Sequence, residues 1–426
     1  MNLRTTDSTT TLTTFRVTAG DLNIYHARSL ADQQITYVLE FSGLLALDRL
    51  QNALALVHGA LPILSSILQV KGTHFERVRI QDSKPQVRVA ACDNPREEIV
   101  RFTGAPCDPG REPPLKLLLL QNNGAHTLCL KIDHTVSDAG GLKYLVHLVA
   151  TAYTRGVSSA AINHDRGLRQ VFRRFSPLAL ARAVRQANLP RPGAALVDGP
   201  FQDETTFVEH VSLAPSQFGQ VHKEAKQAGA TINDALLAAL YQAIFKQAMF
   251  RNSPTGYPVM VPIDMRRYLP ERERGVVANL SSAVYPSLAE IPNESFQDTL
   301  ERVKASMDRL KQQNPGLGAL LLMAIGSVAG GKMMRDRYQL AAAHGSRFIN
   351  FTNFGTIDST GMSFGDVPLA QVYGVGPIQY PPGILIALST YRDTLHMVVQ
   401  GKDARKFQPF VREFLQTFVS GLAGEQ

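Results

Sequence analysis

Two apolar runs in the first third of the chain constrain its fold most. Residues 115–120 and 127–132 are separated by the sequence Gln-Asn-Asn-Gly at 121–124. Because Asn-Gly supplies the positive φ angles of a tight turn, the two runs are predicted to pair as a β-hairpin. Residues 142–149 then carry apolar side chains at helical spacing. The segment 134–138 is therefore predicted to lie where a buried strand ends and a helix begins.

His134 is the candidate catalytic residue of this segment. An imidazole is the only side chain whose unperturbed pKa lets it accept and return a proton near neutral pH. A structural histidine at a strand end is the plain alternative. Asp138 suits a helix N-cap, or a metal pair with His134 on one helix face. The strand before His134 and the glycines at 140 and 141 disfavour that helical geometry, so no metal site is predicted.

The spacing His134-Thr-Val-Ser-Asp138, followed by Gly140, resembles the HxxxD(G) motif of the chloramphenicol acetyltransferase-like superfamily. This superfamily includes plant BAHD acyltransferases, condensation domains of nonribosomal peptide synthetases and polyketide-associated acyltransferases. Two positions depart from the pattern. Asp133 stands where condensation domains carry a first histidine, and Ala139 stands where the motif has glycine. A single histidine matches the BAHD enzymes, and Gly140 can compensate for the second departure.

Short motifs in the second half resemble the same superfamily in the expected order. Residues 229–240, Gly-Ala-Thr-Ile-Asn-Asp-Ala-Leu-Leu-Ala-Ala-Leu, resemble its GxTxNDxLLAAL helix. Residues 257–267 resemble its PVxLR segment, residues 276–282 its GNFV strand, and residues 349–355 its SNxG strand. The resemblance therefore covers most of the chain.

The resemblance implies an α/β fold with two chloramphenicol acetyltransferase-like lobes in a V, each a mixed sheet flanked by helices. The active site would lie in a tunnel at the lobe interface. A chain of 426 residues also exceeds one ordinary core. Two prolines and a glycine within residues 189–193 predict a linker. The predicted division is an N-terminal lobe that carries the motif, residues 1–188, and a C-terminal lobe, residues 189–426.

Periodicity predicts the elements that surround the motif. The predicted strands include residues 34–41, 205–213, 257–264 and 394–400, and the predicted helices include residues 47–56 and 404–419. A second hairpin is predicted between residues 75–80 and 86–89.

The resemblance also implies roles for particular residues. His134 would be the general base, and Gly140 would support the turn beside it. Asp138 would point away from His134 and pair with an arginine, for which Arg266 is the candidate. Candidates for the tunnel wall or for an oxyanion donor are Asn353, Thr352 and Asn279. An Asn353 that merely holds its own turn at Gly355 is equally compatible with the pattern.

The implied reaction is acyl transfer from a thioester to a hydroxyl or amine, by a free-standing enzyme of lipid or secondary-metabolite biosynthesis. Because a thioester is already activated, one base and an oxyanion donor suffice, and no bound cofactor is expected. The cosubstrate would be acyl-CoA or a phosphopantetheinyl acyl carrier protein, and the acceptor a small molecule. Two alternatives stay open: a changed chemistry on the same fold, cyclisation or epimerisation, and a non-catalytic docking module.

The net charge of +8 and the pI near 9.4 favour anionic partners. Arginines are concentrated in residues 166–191, with Arg173 and Arg174 at the centre. They are candidates for docking the donor's phosphates, although a solvated helix face is the plain alternative. No basic run is interleaved with aromatic residues, which argues against nucleic acid. No apolar run approaches the roughly 18 residues of a membrane span, and no apolar signal core follows Met1, so a cytoplasmic protein is predicted.

Overall fold

A computed structural model describes residues 14–81, 83–157, 162–187, 189, 199–247, 256–312, 314–343, 349–357, 362–381 and 383–423. The strands in these ranges are β1 (Thr14–Arg16), β2 (Gln34–Phe41), β3 (Ser66–Lys71), β4 (His74–Arg79), β5 (Val87–Ala91), β6 (Leu115–Asn122), β7 (Ala125–Asp133), β8 (Thr206–Leu213), β9 (Tyr257–Asp264), β10 (Ser281–Val284), β11 (Ser287–Leu288), β12 (Ile349–Thr356), β13 (Leu369–Val375), β14 (Ile384–Tyr391) and β15 (Thr394–Lys402). The helices are α1 (Ala19–Ala27), α2 (Leu47–Ala60), α3 (Pro95–Gly104), α4 (Ala139–Arg155), α5 (Arg169–Phe172), α6 (Pro177–Arg185), α7 (Pro215–Gln227), α8 (Ile232–Lys246), α9 (Phe296–Lys311), α10 (Leu317–Gly326), α11 (Lys332–Ala343) and α12 (Ala404–Ala423). None of them is long and apolar enough to cross a bilayer.

The first sheet has the strand order β13-β2-β7-β6-β5. β6 and β7 form the predicted hairpin, with Asn122 paired to Ala125 beside the turn. Asn123 and Gly124 take φ angles of 45° and 77° there, as a tight Asn-Gly turn requires. β2 pairs with the other edge of β7, where Gln34 lies opposite Asp133. β7 is thus enclosed on both sides, and its end is fixed beside His134.

The second sheet has the order β10-β9-β12-β14-β15-β8, and β11 also pairs with β9. β12 runs parallel to β9 and β14, whereas the other pairs are antiparallel. Side chains of α7, α8, α9 and α12 share one buried apolar cluster with these strands. α8 is apolar on nearly all sides, which suits a helix buried between a sheet and its neighbours. The predicted α/β class with mixed sheets is confirmed.

The predicted hairpin between residues 75–80 and 86–89 is wrong. β4 lies between β1 and β3 in a separate three-stranded sheet, and β5 pairs in parallel with β6. The true hairpin joins β3 to β4 at Gly72, whose φ is 63°. Glycine reaches that left-handed conformation at no steric cost, so it can close the turn.

One strand from the second half, β13, belongs to the first sheet. It pairs antiparallel with β2, with Val375 opposite Thr36. The chain then returns to the second sheet as β14, and on the way Ile378 N donates to Asp32 Oδ1 at 2.9 Å. The two sheets are therefore joined by main chain as well as by side chains. The division at 188/189 stays a prediction, and of the linker at 189–193 only residue 189 lies within the described residues.

Candidate active site

β7 brings His134 to the wall of a cavity of about 1190 Å³. The main-chain N–H of His134 donates to Gln33 O at 2.9 Å, which fixes the residue at the end of the strand. Its side chain is half-buried. Both halves of the chain line the cavity, since Met260 and Thr352 face it together with His134.

Asn279 fixes the orientation and the tautomer of the His134 ring. Its amide nitrogen donates to the main-chain oxygen of His134 at 2.8 Å and to Asp21 Oδ1 at 2.9 Å. Because both partners are acceptors, the amide can be placed only one way, with Oδ1 at 3.1 Å from His134 Nδ1. Nδ1 therefore carries the hydrogen, and in the neutral ring Nε2 carries the lone pair. No described residue hydrogen-bonds to Nε2, which leaves it for a ligand in the cavity.

Asp21 and Arg166 hold Asn279 in place. Asp21 is 1% exposed, and both of its carboxylate oxygens accept from the guanidinium of Arg166, each at 3.0 Å. The same guanidinium donates to Val136 O at 2.7 Å and to Val277 O at 3.1 Å. Arg166 therefore joins α1 to the motif segment and to the segment that carries Asn279. In the sequence Arg166 belongs to the arginine-rich residues 166–191, and no local pattern there indicates partners so distant along the chain.

Asp138 serves the fold around His134. It is the N-cap of α4, where its Oδ1 accepts from Gly141 N at 2.8 Å. Its two oxygens also lie 2.9 and 3.1 Å from the two terminal nitrogens of Arg266, and Leu280 N donates to Oδ2 at 2.7 Å. No hydrogen bond between Asp138 and His134 is found. The carboxylate is fully engaged in joining the motif to the second half of the chain.

Arg266 is the buried centre of this junction. Besides Asp138 it contacts Asp264 Oδ1 at 3.1 Å, Val276 O at 3.2 Å and Ala278 O at 2.9 Å. Burial alone would lower the pKa of Arg266, but the carboxylates of Asp138 and Asp264 outweigh it and raise that pKa. The guanidinium stays charged and keeps both segments in register.

Gly140 is required by the close approach of Arg266. A Cβ at Gly140 would lie 2.9 Å from Nη1 of the buried Arg266, closer than packed atoms allow, and 3.1 Å from Asp264 Oδ2, which is a tight contact. Ala139 lies one position earlier and faces the cavity, where a methyl group has room. The alanine at the glycine position of the motif is thus sterically compatible with the site.

Asp133, at the position of the missing first histidine, supports the backbone. It is buried, and its Oδ1 accepts from Thr135 N at 2.8 Å and from the Thr135 hydroxyl. Burial raises the pKa of Asp133, against the opposing charge of Arg77. It does not line the cavity, so it adds no second acid–base group beside His134. Within the described ranges, no three His, Cys, Asp or Glu side chains are grouped as metal ligands.

The three oxyanion candidates differ in what their polar atoms contact. Both amide hydrogens of Asn279 are already donated, so Asn279 has none left for an oxyanion. Asn353 lines the cavity but is exposed, and its Oδ1 accepts from Gly355 N at 2.8 Å, within its own turn. Thr352 is half-buried and lines the same cavity. No hydrogen bond of the Thr352 hydroxyl is found among the described residues, so of the three it stays the candidate for this role.

Arg173 and Arg174 both pair with Glu273, Arg173 at 3.3 Å. A hydrogen bond from Arg174 and the charge of both arginines lower the pKa of the Glu273 carboxyl. Neither arginine lines the cavity within the described part of the chain. Basic residues that do line it are Lys143, Arg266, Arg267, Arg272, Arg274 and Arg337.

The sequence matches no protein-family model and no curated protein. Its fold, however, is shared by solved structures over nearly its whole length. The first condensation domain of the CDA synthetase is 17% identical, with a TM-score of 0.70 and 96% of each chain covered. An epimerization domain of tyrocidine synthetase B is 14% identical, with a TM-score of 0.66 and 97% of each chain covered. Polyketide synthase associated protein 5 from Mycobacterium tuberculosis is 16% identical, with a TM-score of 0.61, 96% of this chain and 97% of that chain covered. The chain therefore has the condensation-domain fold, built from two chloramphenicol acetyltransferase-like lobes.

Proposed function

We propose that the protein is a free-standing acyltransferase that moves an acyl group from a thioester to a hydroxyl or amine, with His134 as general base. The observation that carries the proposal is the state of the His134 ring. Nδ1 is held by Asn279, and Nε2 is left with its lone pair beside a large cavity. The fold shared with condensation domains supports the same class of chemistry.

The proposed reaction needs one proton acceptor. Nε2 of His134 removes the proton from the acceptor as its oxygen or nitrogen attacks the thioester carbonyl. The new C–O or C–N bond forms, and the carbonyl oxygen becomes an oxyanion, for which the Thr352 hydroxyl in the cavity wall is the candidate donor. The C–S bond then breaks, and the imidazolium returns the proton to the departing thiolate. The ring is neutral again after each turnover.

The test of this proposal is a donor panel. The protein is incubated with acyl-CoAs of several chain lengths and with hydroxyl and amine acceptors, and released thiol and acylated product are both measured. We expect product with wild type and nearly none with His134→Ala. Solvent deuterium incorporation at a stereocentre without thiol release would instead support epimerisation. Neither signal with any donor or carrier-bound substrate would support a docking module.

Donor binding is proposed at the basic part of the cavity wall. Arg267, Arg272 and Arg274 are exposed there, and no described acid forms an ion pair with any of them. CoA and phosphopantetheine both carry phosphate, so this charge raises their local concentration near the thioester position. Arg173 and Arg174 share Glu273 and contribute less net charge.

Reversal of Arg267 and Arg272 to Glu is expected to raise the donor KM about tenfold at low ionic strength, with turnover at saturating donor little changed. The effect should shrink in salt, because screening acts over about 8–10 Å under ordinary conditions. Arg173→Glu with Arg174→Glu is the matched control, for which we expect a much smaller shift. A larger shift in the control pair would move the docking site to residues 166–191.

Asn279→Ala is expected to lower kcat by about tenfold to a hundredfold, because the His134 ring loses the partner that fixes its tautomer. The donor KM should stay near the wild-type value. Since Asn279 is proposed to act through His134, the double variant with His134→Ala should be no slower than His134→Ala alone. Additive losses in this double-mutant cycle would show that Asn279 acts independently.

A further inference from the structure

α10, α11 and the turn that joins them carry a cluster of exposed apolar side chains beside the cavity. Ile325 is 52% exposed, Val328 72% and Met333 66%. The sulfur of Met333 lies 3.9 Å from the position of a Cβ on Gly326, so Met333 packs against the end of α10, beside Ile325 in the sequence. Leu340, two turns further along the same side of α11, is 61% exposed. We call Ile325, Val328, Met333 and Leu340 the apolar lip. Single exposed apolar residues are ordinary, but a cluster marks an interaction surface.

The apolar lip is continuous with the cavity wall. Met333 belongs to both, since it is exposed and also lines the cavity. Leu322, Met323 and Met334 from the same two helices line the cavity behind it. An apolar chain can therefore follow apolar side chains from the surface towards the chamber that contains His134. Methionine suits such a passage, because its flexible side chain adapts to different shapes.

Basic residues flank the lip. Residues 317–343 contain Lys332, Arg335 and Arg337 and a single acid, Asp336. Asp336 lies 2.6 Å from Lys332 and 3.4 Å from Arg335. Arg337 is exposed, also lines the cavity, and has no ion-pair partner among the described residues. The flank therefore has a net positive charge next to an apolar surface.

We infer that the apolar lip and its basic flank dock on an anionic lipid surface, from which an apolar ligand reaches the cavity. Peripheral binding of this kind combines apolar side chains at the headgroup boundary with attraction of Lys and Arg to anionic lipids. Either a protein partner or a lipid surface would cover the lip, but a lipid surface also supplies molecules with long apolar chains to a cavity that opens at Met333.

The test is sedimentation of the purified full chain with lipid vesicles. One set contains phosphatidylcholine alone, and the other adds phosphatidylglycerol at about one part in three. We expect binding to the anionic set that is about tenfold or more tighter than to the neutral set and that weakens with salt. Arg335→Glu with Arg337→Glu should abolish this preference. Ile325→Asp with Val328→Asp should weaken binding by about tenfold or more, because both side chains leave water on docking.

The matched control is Leu44→Asp. Leu44 is 58% exposed, but it follows the end of β2 opposite to the end that lies beside His134. Its variant should bind vesicles as wild type does. Circular dichroism and melting curves check that every variant is folded.

Three results would overturn the inference. The first is wild type that stays in the supernatant with anionic vesicles at low salt. The second is undiminished binding by the Ile325/Val328 variant. The third is wild type that does not bind vesicles but forms a concentration-dependent dimer, or a complex with an acidic carrier protein, which the Ile325/Val328 variant abolishes. None of these measurements depends on acyl transfer. The inference of lipid docking can therefore be refuted while the assignment of His134 as general base stands.

Discussion

His134→Ala is expected to lower turnover by about two to four orders of magnitude, the range for a lost general base. The fold should survive, because the half-buried side chain makes one side-chain hydrogen bond, to Asn279. The measurement is kcat with the best donor and acceptor found in the panel, together with the melting temperature. Residual turnover would reflect binding and the oxyanion donor alone.

A second histidine sharpens this test. His147 lines the same cavity wall as His134, so His147→Ala is the matched comparison. Its kcat with the same donor and acceptor should stay near the wild-type value, because the proposal gives the proton transfer to His134 alone. Near-normal turnover in His134→Ala, or a loss in His147→Ala as large as the loss in His134→Ala, would contradict the assignment.

Local patterns were sufficient to predict the elements around the motif. The strands Gln34–Phe41 and Tyr257–Asp264 have the predicted bounds, and the Asn-Gly turn joins β6 to β7. Local patterns do not predict β3 and β13. β3 is short and half-exposed, so its pattern does not stand out from a loop. β13 pairs with β2, more than 300 residues earlier, and only the assembled sheet reveals that choice.

The same limit applies to the site. His134 and Asp138 are recognisable because they share one short motif, and Arg266 because it follows a strand that resembles a family segment. Asp21 and Arg166 give no such signal. Asp21 has a local role as the third helical residue of the Thr18 capping box, and its bond to Asn279 spans 258 positions. Contacts that orient a catalytic ring are tertiary, whereas the ring itself is marked by its neighbours in sequence.

Asp138→Asn is expected to destabilise the protein by about 3 kcal/mol, the scale for breaking a buried ion pair by removing one charge. Arg266 and Asp138 are both nearly fully buried, so the guanidinium would keep its charge and lose its main partner. The amide of the new asparagine has only one oxygen, so its N–H₂ group would face a group that is itself a hydrogen-bond donor. At present Oδ1 accepts from Gly141 N, while Oδ2 accepts from Leu280 N and Arg266. Either orientation of asparagine opposes one of these donors.

The measurement is the free energy of unfolding from urea titration, with Asp264→Asn as the matched control. Asp264 also pairs with Arg266, but its side chain is about half exposed, so its loss should cost under about 1 kcal/mol. Activity of Asp138→Asn should fall with the folded fraction and through displacement of the segment that carries His134. If Asp138→Asn unfolds at the wild-type urea concentration and yet loses turnover as His134→Ala does, the carboxylate acts in the chemistry itself. The contacts of Asp138 argue for loss of stability, which is the result expected of a structural carboxylate. Gly141, Leu280 and Arg266 together use both of its oxygens and leave none for the imidazole.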